Sequence, residues 1–154
     1  MQLVQLQEAA SFRSDARTSK LFDQYQQLLT ELNKRTLPDG ISSFLNSTTE
    51  ELNNTTLSGK PLRKLLKQHQ TTVLKRLEKE LKLTPKHYYR TLWMVVGMSA
   101  FGIPLGMAFG ISIGNLGMLG IGLPIGMAMG IAVGNRLDKK AFDEGRQLDV
   151  EMKY

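Results

Sequence analysis

Few side chains in this 154-residue sequence could do chemistry, and their spacing suits none of it. His69 and His87 are the only histidines, and Pro85 lies between them. A metal site or an imidazole base needs partners in fixed geometry, which a proline break between the two works against. Ser99 and Ser112 are hydroxyls inside a long uncharged run that offers no carboxylate, imidazole or amine. Coupled ion or proton transport through that run therefore has no carrier group. Asp138, Asp143, Glu144, Asp149 and Glu151 lack metal-loop spacing and read as a solvated terminus. There is no cysteine, which removes disulfides and thiolate chemistry and is compatible with a reducing compartment. The sequence predicts no catalytic residue, no metal ligand, no cofactor and no enzymatic activity.

The uncharged run is the dominant feature. Leu92–Gly134 spans 43 residues without Asp, Glu, Lys, Arg or His and holds 11 of the 14 glycines. A hydrocarbon core of about 30 Å takes roughly 20 helical residues, so the run is long enough for two crossings. The alternative is a central soluble hairpin, but the polar flanks offer few apolar segments to cover it.

The run is also an internal repeat. Gly97–Asn115 and Gly117–Asn135 share 11 of 19 residues at an offset of 20, with Pro104 matching Pro124 and Asn115 matching Asn135. Gly102, Gly106, Gly110 and Gly114 recur at every fourth position, as do Gly122, Gly126, Gly130 and Gly134. Such stripes let helix backbones approach closely in lipid, where little hydrophobic force joins helices. Asn115, Leu116 and Gly117 would form the hairpin turn, since Asn and Gly tolerate its backbone angles. A turn centred on Leu116 predicts Gly102 level with Gly130, Gly106 with Gly126 and Gly110 with Gly122. A direct repeat folded as a hairpin is an inverted-topology repeat. The expected fold class is all-α: a membrane helical hairpin preceded by a small cytoplasmic helical region.

The expected organisation is 1–60 as a helical and loop region, 61–83 as a basic amphipathic helix, 84–134 as the hairpin and 135–154 as a polar tail. Leu21, Phe22, Tyr25, Leu28, Leu29 and Leu32 predict a helix begun by Ser19 as N-cap. Pro38-Asp39-Gly40 predicts a turn, and Ser47 with Glu50 predicts a short helix in the Ser/Thr/Asn-rich stretch after it. Asn46-Ser47-Thr48 and Asn54-Thr55-Thr56 match glycosylation acceptors, a chance match for a segment expected on the cytoplasmic side. Thr84 and Pro85 are expected to cap and start the next helix.

Charge is concentrated before the uncharged run. The net charge is +6, and residues 60–90 hold ten basic and two acidic groups. Arg63, Lys64, Lys67, Lys75, Arg76 and Lys79 are candidate contacts to lipid headgroups, or a solvated face of a helix that packs on its neighbour. A nucleic-acid reading uses the same charges but finds no recognisable module, so none is expected. Lys86, Tyr88, Tyr89, Arg90 and Trp93 before the run, and Arg136, Lys139 and Lys140 after it, are candidate membrane-interface residues. Basic residues at both ends predict both termini in the cytoplasm and a location in the cell inner membrane. The first 15 residues lack the pattern of a signal peptide.

The run resembles the small bacterial membrane proteins grouped as glycine-zipper proteins. It shares repeated GxxxG spacing, two spans joined by Asn and Gly, and a polar segment like Asn135–Arg146. The resemblance covers about Gly97–Arg146 and implies membrane insertion and close helix packing, with no substrate. The run also looks like rotor-ring subunits of ion-driven ATP synthases, but those carry an ion-binding carboxylate in a spanning helix, and this run has none.

Eight striped glycines exceed what one hairpin contact needs, which predicts a homo-oligomer in the lipid bilayer. Its role is expected to be a membrane anchor or scaffold that clusters the cytoplasmic helices, with a cytoplasmic protein as a further partner. The alternative is a pore lined by glycine-packed hairpins.

Overall fold

The computed structural model describes residues 3–115, 117 and 119–152, and the chain is predominantly helical. It divides into two compact units, Met1–Pro85 with Leu148–Tyr154, and Lys86–Gln147.

The first unit is built on three helices, α1 (Ala16–Asn33), α2 (Asp39–Asn53) and α3 (Gly59–Leu81). Phe22, Tyr25, Leu28, Leu29 and Leu32 of α1 pack with Ile41, Leu45 and Leu52 of α2 and Leu62, Leu66, Val73 and Leu77 of α3. The i, i+3, i+4, i+7 spacing puts each set on one helix face, and their burial supplies the main folding force. An extended N-terminal segment adds Leu3 and Leu6 to this core. Its backbone is paired by asparagines: the N–H groups of Leu3, Val4 and Gln7 donate to Asn33, Asn46 and Asn53 Oδ1 at 3.0, 2.8 and 2.8 Å.

Several expected boundaries move. Asp15, not Ser19, caps α1, accepting from the N–H groups of Arg17 and Thr18 at 2.9 Å. The expected turn at Pro38-Asp39-Gly40 is instead the start of α2, with Pro38 at the N-cap position. Ser47 therefore lies inside a helix rather than at its start. The Ser/Thr content that argued against a long helix is accommodated because Thr48 and Thr49 hydroxyls donate to the Phe44 and Leu45 carbonyls at 2.8 Å. Periodic burial of Ile41, Leu45, Thr49 and Leu52 outweighs modest propensity.

Thr84-Pro85 does not open a helix. Thr84–Lys86 forms β1, which pairs with β2 (Gln147–Glu151) in a two-stranded sheet. The expected polar tail at 135–154 is also corrected. Leu148, Val150 and Met152 are buried in the core of the first unit. Their alternation with Asp149 and Glu151 is the period-2 pattern of a half-buried strand.

The second unit is a helical hairpin. Its first arm runs as one helix from Tyr88 to Ile113, comprising α4 (Tyr88–Gly97), a π-helical turn (Met98–Gly102) and α5 (Ile103–Ile113). The second arm is α6 (Leu119–Asp143), which contains Pro124. Gly114 ends α5 with φ +70°, and the N–H groups of Gly114 and Asn115 donate to the Ile111 and Gly110 carbonyls at 3.2 and 3.0 Å. This is a Schellman end, which glycine enters without steric cost.

Candidate functional site

The hairpin has almost no side-chain core. Gly97, Gly102, Gly106, Gly110, Gly122, Gly126, Gly130 and Gly134 are buried, joined among the described residues of this unit only by Asp138 and Ala141. The large side chains point outward, with Val95, Ile111 and Ile113 at 58, 72 and 58% exposure. Leu92, Phe101, Ile103, Met107, Phe109, Ile121, Ile125, Met129 and Val133 are exposed as well.

Backbone meets backbone along the glycine seam. A Cβ added at Gly126 would lie 2.5 Å from Gly102 N, and one at Gly97 would lie 2.8 Å from Gly130 Cα. The Trp93 carbonyl occupies the space of a side chain at Gly130, and Arg90 Cα and the Tyr89 carbonyl that at Gly134. At Gly122 the neighbours are the Gly102 carbonyl and Gly106. Any side chain at these positions would force the helices apart.

The register differs from the sequence expectation. Gly102 faces Gly122 and Gly126 rather than Gly130, and Gly106 faces Gly122 rather than Gly126. The expected rule assumed equal arms about a tight turn at Leu116. The first arm instead closes at Gly114 while the second starts at Leu119, and the π-helical turn adds a residue to the first arm alone.

That turn also recruits a glycine that the every-fourth-residue rule missed. Gly97 and Gly102 are five residues apart, a step that would rotate Gly97 off the seam in a regular α-helix. The wider turn, in which the Ile103 N–H donates to the Met98 carbonyl, returns Gly97 to the same face. It lies immediately before Pro104, whose ring disfavours regular α-helical bonding in the preceding turn. Gly114 leaves the seam to become the helix end, with nothing within 4 Å of its would-be Cβ. Of the expected reversal, Asn115 Oδ1 accepts from Gly117 N–H at 2.9 Å, while Leu116 lies outside the described residues.

Asp138, which its sequence context groups with the solvated acids, is instead 6% exposed. Its two carboxylate oxygens accept from the N–H groups of Tyr89 and Arg90 at 3.0 and 2.9 Å. The residue thus caps α4, whose own N-cap residue, His87, makes no side-chain capping bond. Asp138 follows Gly134 by four residues, so it continues the seam. That spacing was the available signal. The bonds set Tyr89 and Arg90 level with Asp138, near Arg136, Lys139 and Lys140 on the same helix end. Lys86, Arg90, Arg136, Lys139 and Lys140 are exposed, whereas Tyr88, Tyr89 and Trp93 are half-buried. The Tyr88 and Tyr89 rings meet edge to face at 5.3 Å.

In the first unit the apolar stripe of α3 is enclosed by the core, so this helix packs on its neighbours. Arg63, Lys64 and Lys67 line a hollow shared with α1. Arg76 is engaged elsewhere, bonded to Glu80 at 2.8 Å and 4.3 Å from the centre of the Phe44 ring, while Lys75 and Lys79 are exposed. His69 Nε2 lies 3.5 Å from Glu51 Oε2, long for a hydrogen bond. Asn46, in one of the glycosylation-like triplets, is occupied by its bond from Val4.

Among the described residues one helix, Tyr88–Ile113, is long and apolar enough to cross a membrane, and 22% of its most apolar window is buried. The class defined by this fold is a predominantly helical protein with a candidate membrane-spanning helix. No family model matches the chain, and neither a curated protein nor a solved structure matches it.

Proposed function

We propose that the protein is a membrane-anchored scaffold whose hairpin crosses the cell inner membrane twice, leaving both flanks in the cytoplasm as one folded unit. The observation that carries this reading is the composition of the first unit. It contains the chain before the hairpin, Met1–Pro85, and the chain after it, Leu148–Tyr154. A segment joined at both ends to one folded body must return to the side it left, so it crosses an even number of times. The apolar part of the first arm, Thr91–Ile113, is about 34 Å long, enough for a core of about 30 Å. Its outward Val, Ile, Phe and Met side chains suit lipid, and the basic residues collect at the open end.

Assembly into a homo-oligomer needs a surface other than the eight buried glycines, because those are occupied within one hairpin. A second set of small residues supports that surface: Ala100, Pro104, Ala108 and Ser112 on the first arm, and Gly120, Pro124, Ala128 and Ala132 on the second, all exposed. Four-residue spacing aligns each set on one outer face, where another copy could approach closely. A scaffold is favoured over a pore because Ser99 satisfies its hydroxyl within its own helix, donating to Val95 and Val96 carbonyls at 2.9 and 3.2 Å. A lumen would present polar groups to water.

Cysteine labelling at the exposed residues 60 and 151, with residue 117 as the distal control, tests the topology in intact cells. Both flanks should be protected from an impermeant reagent and the control labelled; flanks on opposite sides would reject the double crossing. Replacing Ala108 and Ala128 with leucine tests assembly by native mass spectrometry in detergent. The oligomer should shift to monomer, and an unchanged mass would remove this face as the contact. Discrete conductance of the purified protein in a bilayer would select the pore instead.

A further inference from the structure

We propose that the hollow between α1 and α3 binds a ligand carrying clustered phosphates, either free or as a lipid headgroup. The hollow, about 540 Å³, is lined by Arg17 and Lys20 of α1 and by Lys60, Arg63, Lys64 and Lys67 of α3. That volume matches a small-ligand site. Spacings of three and four residues bring the cations onto facing helix surfaces, where they repel one another without a partner.

Cations without a carboxylate partner crowd this hollow, whereas several others in the unit are paired. Elsewhere in the unit Arg13 bonds Glu8 at 2.8 Å and Asp23 at 3.0 Å, Lys34 bonds Glu31 at 2.7 Å, and Arg76 bonds Glu80 at 2.8 Å. Among the described residues, only Arg63 of the six has a carboxylate partner, Asp15 at 3.9 Å. Six cations around one concavity, with five unpaired, match a ligand with several anionic groups.

Gln24 ties this wall of the hollow to β2. It lines the same hollow and is 8% exposed. Its Nε2 donates to the Glu151 carbonyl at 3.3 Å, which orients the amide and leaves Oε1 without a hydrogen-bond partner. That oxygen is enclosed by protein, so the cations alone define the ligand. The site belongs to the first unit alone and does not depend on membrane insertion of the hairpin.

Calorimetry of the full chain in neutral detergent tests this with three probes: inositol trisphosphate, dioctanoyl phosphatidylinositol bisphosphate and tripolyphosphate. Lys20→Gln with Lys64→Gln should weaken inositol trisphosphate by about tenfold or more, the loss of two charge-assisted contacts. Lys75→Gln with Lys79→Gln removes the same net charge from α3 outside the hollow and should change affinity by less than about threefold. Equal losses in the two variants, or no binding of any probe, would overturn the site. Equal affinity for trisphosphate and short-chain lipid upholds the site with a free ligand sufficing. Tighter lipid binding, lost in the Lys20 and Lys64 variant, upholds it with the headgroup as source.

Discussion

The Asp138 carboxylate accepts the Arg90 backbone N–H at 2.9 Å across 48 residues of sequence, so the end of one hairpin arm caps the start of the other. A carboxylate here satisfies unpaired helix N–H groups and faces the positive end of the α4 dipole.

Asp138→Ala should therefore loosen the open end of the hairpin. Two partly buried N–H groups lose their partner, at a cost of about 1–3 kcal/mol. Hydrogen exchange at the Tyr89 and Arg90 amides should accelerate, and Asp138→Asn, which keeps one acceptor, should fall between. Unaltered exchange in the alanine variant would show that the cap contributes nothing.

The glycine seam makes a paired prediction. Gly130→Ala places a Cβ where the Trp93 carbonyl lies and should destabilise the hairpin by about 1–3 kcal/mol through overpacking. Gly120→Ala meets nothing within 4 Å and should be neutral or stabilising by up to about 1 kcal/mol. Unfolding of the detergent-solubilised chain by SDS reads both. Equal effects would mean that glycine is lost for helix propensity alone.

Leu148 is fully buried although only six residues follow it in the sequence. Leu148→Ala should lower the stability of the first unit by about 2–5 kcal/mol, the cost of a core cavity. Urea unfolding monitored by circular dichroism checks it. A surface-like change below about 0.5 kcal/mol would return residues 147–152 to the status of a tail.

Acid should weaken the start of α1. The Thr18 hydroxyl, followed by the Thr18 N–H, holds the Asp15 carboxyl below its ordinary value. A folded-state value below the unfolded one means that the contribution is complete above the unfolded value near 3.9 and is lost as pH falls through the folded value. The melting temperature of the wild type should therefore fall more steeply below about pH 4 than that of Asp15→Asn, whose cap does not titrate. Parallel profiles would exclude this carboxylate as the source.

Much of the first unit was legible because burial leaves a periodic trace. The stripe from Leu21 to Leu32 and the stripe from Leu62 to Leu77 each mark a helix face, and both are packed in the core. The α2 segment was obscured by its Ser, Thr and Asn content. Those residues favour turns when considered singly, but here their hydroxyls bond within the helix and asparagines on α1 and α2 pair the N-terminal segment's backbone. Such bonds reach across 30 to 42 residues, beyond any local pattern.

By itself the sequence determined the composition of the uncharged run, its glycine period, its internal repeat and the basic residues at both ends. Those follow from residue type and spacing, and they specify helices able to pack backbone to backbone. Tertiary structure decided which glycines meet. A single π-helical turn before Pro104 brings Gly97 onto the seam, and the helix end at Gly114 takes that glycine off it. It also decided that Asp138 is a cap and that Leu148, Val150 and Met152 complete a core begun at Leu3. Register and capping are relations between distant segments, so a local period cannot specify them. They are settled by where backbone groups find partners once the arms have closed.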